Sequence, residues 1–278
     1  MMGKVIMSGI VPQLVAPLSV DPVLNNNSWE TISKVSQMGL ATQYWSVGDT
    51  KTITINGKVG NTTFSNLSVD AFIIGFNHNS ALEGDNRIHF LIGKSGGKLV
   101  GLCDGSYNST TGDFYMSSNG SNSGGWNASH MRKTLLGNSG TPTSPTANTL
   151  LAALPSGLRS VMKSVTKYTD NTAKGGENAA SYVTATTDYL FLLAEFEVQG
   201  VRAYANSYEQ NSQAQYDYFK AGNSKIAYRH TATETAVRWW LRSARYGSSF
   251  DFCGVASGGS YSYYSAHYSL GVLPGFAV

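Results

Sequence analysis

Charge is scarce in this chain. Lys, Arg, Asp and Glu make up 13% of its 278 residues, about half the usual share. The net charge of +3 is spread out, and no Lys/Arg cluster offers a footprint for nucleic acid. There are only two cysteines, Cys103 and Cys253. They could pair, but two buried free thiols are the simpler reading. The five histidines (His78, His89, His130, His230, His267) form no HxH, HxxxH or HExxH spacing, so neither a metal nor another cofactor is expected. No apolar run is long enough to span a membrane. The first twenty residues are apolar but broken by Pro12 and Pro17, and they lack the pattern of a secretory signal. A GxSxG elbow is missing as well. Glu195 and Glu197 would share a strand face with no nucleophile or His beside them, which reads as a solvated or salt-bridged face. No catalytic constellation emerges, and the chain is not expected to be an enzyme.

A second absence is local. From Ala244 to Val278 there is no Lys, Glu, Gln, Met or Trp, although the preceding 243 residues hold 38 of these five types. Randomising both adenines of pyrimidine-ending Asn codons yields every residue type except those five. A Gly/Ser-rich β segment depleted in charge for packing reasons would look similar, and both readings stand on composition alone.

What fills the tail is Ser, Tyr and Gly, which supply 18 of its 35 residues. This is the composition of antibody-like contact surfaces, where Tyr gives rigid area and Ser and Gly give adaptable polar contacts. A bulky frame precedes it (Trp239, Trp240, Leu241, Arg242) and another closes it (Pro274, Gly275, Phe276). The frames are expected to be buried scaffold, with Arg242 making a structural salt bridge or capping a carbonyl and Gly275 at positive φ. Arg245, Tyr246, Ser248, Ser249, Asp251, Ser257, Ser260, Tyr261, Ser262, Tyr263, Tyr264, Ser265, His267 and Tyr268 are the candidate ligand-binding residues. SYSYYSAHYS shows no period-2 pattern that would hide one face, whereas Phe250, Phe252 and Val255 are expected to point inward.

Abundant aromatic and β-branched residues exclude disorder. Residues 1–25 read as an attachment arm, and 26–278 as one α+β domain with the ligand-binding segment at 244–270. A helix is expected from Asn27 or Ser28, capped by Asn27, with Trp29, Ile32, Val35 and Met38 inward and Gly39 ending it. Strands are expected over 52–56, running into an Asn56-Gly57 hairpin turn, and over 67–78 and 86–93. A polar loop covers 103–125 and helices follow at 126–136, 149–154 and 156–162. A strand at SVTKYT leads to a loop over 171–187. DYLFLLAEFEV is either strand or helix, and Tyr208 to Lys220 reads as a helix.

Five pieces of the sequence, taken together, resemble a known group. They are the Trp29 helix with Gly39; Tyr44-Trp45-Ser46-Val47-Gly48-Asp49-Thr50-Lys51; Gly125-Trp126-Asn127-Ala128-Ser129-His130-Met131-Arg132; Trp239-Trp240-Leu241-Arg242-Ser243; and Gly271-Val272-Leu273-Pro274-Gly275-Phe276. In this order they resemble C-type lectin-fold domains of phage tails and gut bacteria, including the variable proteins of diversity-generating retroelements. The resemblance implies a C-type lectin fold of the variant shared with formylglycine-generating enzymes, with terminal strands close together and the ligand face just before the last strand. It implies a receptor-binding or adhesion protein of a phage tail tip or fibre, or alternatively of a bacterial cell surface, that binds a host cell-surface protein or glycan. The arm would join other tail proteins and help form a homotrimer. Nucleic-acid binding and membrane insertion are not implied. Diversified tails often keep residual Asn, and this one has none after Asn223. The alternatives are a formylglycine-generating-type oxidase, which would need paired active-site cysteines, and a structural decoration protein of the virion.

Overall fold

β-Branched and aromatic residues between Thr50 and Gly101 build four antiparallel strands: β1 (Thr50–Val59), β2 (Thr62–Phe76), β3 (Ile88–Ser95) and β4 (Lys98–Gly101). The computed structural model describes residues 18–173, 175 and 178–278, so most of the expected arm lies outside the described residues. The remaining strands are β5 (Val165–Asp170), β6 (Val183–Asp188), β7 (Ala227–Arg229), β8 (Ala232–Val237), β9 (Trp239–Ala244), β10 (Asp251–Val255), β11 (Tyr261–Ser265) and β12 (Gly275–Ala277). With short helices between them, the architecture is α+β. The main sheet runs β1-β2-β3-β4-β7-β8, β12 pairs with β3, and among the described strands of this sheet β4–β7 is the one parallel pair. Two smaller sheets are β11-β10-β9 and β5-β6.

β3 is buried from Ile88 to Lys94, as expected for a strand covered on both faces. Phe90 stacks on Phe276 of β12 at 5.1 Å, and Trp29 meets both rings edge-on at 5.4 and 5.7 Å. The helix Trp29–Gln37 thereby closes over the seam, and its Ser36 hydroxyl contacts the backbone carbonyls of Asn86 and Val278. Gly275 lacks positive φ, contrary to expectation. It is needed for space: a Cβ there would lie 2.5 Å from the Phe191 ring, whose backbone it pairs with.

Several local expectations change. Ser28 rather than Asn27 caps the helix, accepting from the Thr31 N–H, while Asn27 binds backbone carbonyls of Asp21 and Val23. Met38 is 60% exposed. Leu24 is buried and Asn25 bonds to Thr52, so the body begins within the segment assigned to the arm. Asn56-Gly57 is not a turn: Gly57 sits at a bulge in β1, and the chain reverses at Gly60-Asn61. The helix expected over 126–136 is a four-residue turn, Gly125–Ala128, followed by a π-helical turn, Met131–Leu135. β6 occupies part of the loop expected over 171–187. DYLFLLA is non-helical and buried apart from the half-buried Tyr189, and Glu195–Gln199 is helical. Between Tyr208 and Lys220 the helix is interrupted, with a 3₁₀ turn at Ser207–Ser212 and a short helix at Asp217–Lys220. Among the described residues, no helix is long and apolar enough to cross a membrane.

Candidate functional site

The tail forms the β9-β10-β11 sheet, and β9 anchors it. Every residue of β9 is buried, and its side chains are satisfied from inside. Trp239 Nε1 donates to the Lys225 carbonyl at 3.0 Å, and Trp240 Nε1 to the Phe114 carbonyl at 2.9 Å. Arg242 forms two bonds to the Glu197 carboxylate, and it also donates to the Leu192 carbonyl and Thr169 Oγ1, each at 2.8 Å. The expected salt bridge of Arg242 is therefore present.

Its acid partner was read differently from sequence. Glu195 and Glu197 lie at the start of a helix and are fully buried, so the strand and the solvated face are corrected, while the salt-bridged alternative holds for Glu197. Glu195 accepts the N–H groups of Ala203, Tyr204 and Ala205. Glu197 also contacts Lys167 at 3.4 Å, and Lys167 in turn binds Glu83 at 2.6 Å and the Tyr216 hydroxyl at 2.9 Å. Burial opposes ionisation of Glu197, yet Arg242 and Lys167 hold its carboxyl well below the usual range. Burial raises Glu83 to about 7 against the pull of Lys167. His78 stacks on Tyr216 at 3.6 Å; burial, helped by Lys167, lowers it to about 3. His78, Glu83 and Glu197 offer ligand atoms within 4.8 Å of one another. The Lys167 ammonium already supplies the positive charge to both carboxylates, so the cluster reads as an internal ion network. Removing one partner of such a pair costs about 3–5 kcal/mol, which makes Arg242 scaffold.

β10 and β11 carry the candidate surface. In a strand, alternate side chains share a face. Tyr261, Tyr263 and Ser265 therefore project to one side and Ser262 and Tyr264 to the other; the alternation is present, but both faces stay partly open. On the first side, Tyr263 lies 3.6 Å from the Arg245 guanidinium and meets Tyr204 edge-on at 4.8 Å. Tyr204 also meets Tyr261, at 5.9 Å. On the second side, Tyr264 covers Gly254, where a Cβ would come 2.9 Å from its ring. Tyr264 also packs edge-on against Trp240 at 6.1 Å, under the Arg238 guanidinium at 5.2 Å.

The other candidates divide between the two ends of this sheet. Arg245, Tyr246, Ser248, Ser249 and Asp251 gather at the β9–β10 turn. Asp251 is neutralised by Arg245 at 2.9 Å and accepts from Ser248 Oγ at 2.9 Å. Ser248 also accepts the N–H groups of Phe250 and Asp251, so it shapes the turn. His267 follows β11 at this end, its Nδ1 3.0 Å from Ser265 Oγ and its ring 5.1 Å from Tyr268. Ser257 and Ser260 are exposed at the opposite end, in the β10–β11 turn. The set thus lines a hairpin and does not converge on one pocket.

Residues 108–278 match the model of DUF6273, a domain of unknown function. The chain belongs to the DUF6273 family. No curated protein and no solved structure matches it. The DUF6273 stretch contains the whole β9-β10-β11 sheet but not β1 to β4. Its β12 nevertheless pairs with β3, and its β7 with β4. In this DUF6273 protein the residues before 108 therefore complete the core beneath the tail.

Some surface residues escaped the sequence reading. Phe252 and Val255 are buried as expected, but Phe250 is 62% exposed. Its place in the β9–β10 turn removes it from the strand alternation that buries Phe252. Tyr204 and Asn108 reach the tail from distant segments and nothing local in their sequence marks them, while Arg238 stands immediately before the Trp239 frame. Both cysteines are buried free thiols. Burial pushes Cys103 up to about 12 and Cys253 well above the ordinary thiol range.

Proposed function

We propose that this protein is a binding module of the receptor-binding or adhesion kind, with a C-type lectin fold and the β10–β11 hairpin as its ligand surface. The observation that carries the reading is the contrast within one small sheet. β9 is wholly buried and ion-paired, while Tyr246, Phe250 and Tyr261 stand 46%, 62% and 46% exposed beside it. Exposed rings held by a rigid frame are the composition of recognition surfaces. β12 pairs with β3 and not with the first strand β1, so of the expected closeness of the terminal strands only the contact of the first helix with β12, through Trp29 and Phe276, supports the lectin reading. A phage tail or cell-surface setting, a host protein or glycan as ligand, and attachment through the arm belong to the same reading. The retroelement reading is supported by the compositional gap alone, which covers the partly exposed β10–β11 hairpin and the buried residues 269–278 alike. Burial of both thiols favours binding over oxidase chemistry.

The test separates contact from packing. Fluorescent 278-residue chain is titrated onto a panel of bacterial cells. Replacing Tyr246, Phe250 and Tyr261 together with Ala is expected to cut binding at least tenfold, about 1.4 kcal/mol. Stability is expected to stay within about 0.5 kcal/mol, because the lost surface is already wet. Binding that survives, or a wild-type chain that binds no cell, overturns the proposal. Tyr264→Ala is unsuitable for this purpose, since its ring packs on Trp240. For diversification, the neighbouring DNA is expected to hold a reverse-transcriptase gene and a near-copy of the tail's coding sequence that differs at adenines.

A further inference from the structure

β11 ends its sheet, and backbone parity shows which groups it leaves over. On the β10 side the Phe250 carbonyl accepts from the Ala266 N–H and the Ala256 N–H donates to the Ser260 carbonyl, while the Asp251 carbonyl turns the other way to accept from Arg245. In an antiparallel pair, bonded and non-bonded positions alternate. With Phe252 opposite Tyr264 and Gly254 opposite Ser262, residues 262 and 264 spend their backbone groups on β10. Tyr261, Tyr263 and Ser265 direct theirs outward. The Ser265 carbonyl accepts from Tyr268 at 3.0 Å. The N–H and C=O of Tyr261 and Tyr263 and the N–H of Ser265 find no backbone partner among the described residues.

Edges of this kind are usually blunted by a Lys, a Pro or a bulge. β11 has none: its sequence is YSYYS, and its register with β10 has no shift. A groove of about 410 Å³ lies against it, lined by Tyr263, Tyr264 and Ser265 together with Asn108, Arg238 and Tyr268. The groove carries one charge that needs an answer. Asp251, which also lines it, is matched by Arg245. Arg238 is exposed, donates to Asn108 Oδ1 at 3.1 Å, and is in no ion pair among the described residues.

We propose that the ligand of this surface is a protein segment in extended conformation that carries a carboxylate, and that it adds to β11 as a further strand with its acid on Arg238. This rests on the reading of the tail as a binding surface and names the chemistry of its partner. Outward backbone groups supply affinity without regard to sequence, whereas Arg238 and the rings on either side of β11 select side chains. The five residues of β11 match a segment of similar length.

The probe is a displayed library of random ten-residue peptides, selected against the whole chain. Enriched peptides are expected to share an Asp or Glu and to lose at least tenfold in affinity on Arg238→Ala. N-methylation of alternate amides in one of the two phases is expected to abolish binding, while the other phase is tolerated. On the protein, Tyr263→Pro removes an outward N–H and is expected to bind at least tenfold more weakly than Tyr263→Ala, which keeps it. Proline is tolerated at such an edge position, and the N-methyl series decides the matter if that variant does not fold. Failure to enrich any peptide, enrichment without acids, or indifference to N-methylation overturns the inference. Binding to a glycan array that depends on Tyr246 and Phe250, with no peptide bound, would overturn this inference and leave the binding function standing. Cell binding that is indifferent to the Tyr246/Phe250/Tyr261 variant would overturn the function itself.

Discussion

At Gly275 the requirement is for space. Its backbone pairs both ways with Phe191, and a Cβ would sit 2.5 Å from that ring. Gly275→Ala is therefore expected to destabilise the protein by about 1–3 kcal/mol through overpacking, measured by urea unfolding; an unchanged midpoint would show that Phe191 yields freely. The sequence marked this glycine as special but suggested a conformational cause, because local sequence does not show which ring lies opposite. Glu195 and Glu197 teach the same lesson. Two acids two apart suggest a solvated or salt-bridged face; the burial of Glu197 becomes intelligible only when Arg242 and Lys167 arrive from 45 and 30 residues away, and that of Glu195 only when the N–H groups of Ala203, Tyr204 and Ala205 turn towards it. Trp239, Trp240 and Leu241 were legible without such help, because residues of that size in an apolar run gain too much from burial to stay outside.

At the scale of elements, the hairpin β10–β11 has two unequal edges. The alternation of paired and outward backbone groups predicts amide exchange rates that alternate along β11. The N–H groups of Tyr261, Tyr263 and Ser265 should exchange quickly, and those of Ser262 and Tyr264 more slowly, with β9 slower still. Residue-resolved hydrogen exchange checks this, and uniform protection along β11 would mean that its outer edge is covered. Strands with strong β-branched content, such as β2, β3 and β5, were readable from sequence. The Asn56-Gly57 turn was not, because the same dipeptide serves a bulge as readily as a hairpin. The long helices expected at 126–136 and 208–220 break into short turns where side chains must reach Asp188 (Trp126, Arg132) and the Asp170 backbone (Glu209). Tertiary demands of that kind override helix propensity.

For the molecule as a whole, the buried titratable groups set the response to acid. His78 and His89 are both depressed, the first from 6.5 to about 3, chiefly by burial. Their contribution is complete above pH 6.5 and is lost as pH falls towards the folded values. Glu83 and Glu209 are raised from 4.5 to about 7, again chiefly by burial. Their contribution is complete below pH 4.5 and is lost as pH rises through 7. Between pH 6.5 and 4.5 the gains of Glu83 and Glu209 oppose the losses of His78 and His89, to which the part-buried His130 and His230, also lowered chiefly by burial, add, so any net decline should be shallow. Below pH 4.5 only the losses remain, joined by Glu197, which is depressed by Arg242 and Lys167 despite its burial. The decline there should approach roughly 4 kcal/mol per pH unit for three groups at 1.36 each. Urea unfolding at pH 7, 5.5 and 3.5 tests this, and a steep loss already present between 7 and 5.5 would contradict it. The α+β class was legible at this scale from the mixture of patterns, but the number of sheets was not, since β12 and β7 join a sheet begun more than a hundred residues earlier.

β12 also fixes the order of events during synthesis. Residues 275–277 complete the pairing of β3, which is buried on both faces once they are in place. Until they leave the ribosome, the apolar flank of β3 has no cover, and contacts of such long sequence separation form late. The strands made before them must therefore wait in a partly open state, in which exposed strands favour aggregation. Co-expressed chaperones should raise the soluble yield of this protein more than that of one whose sheet closes locally.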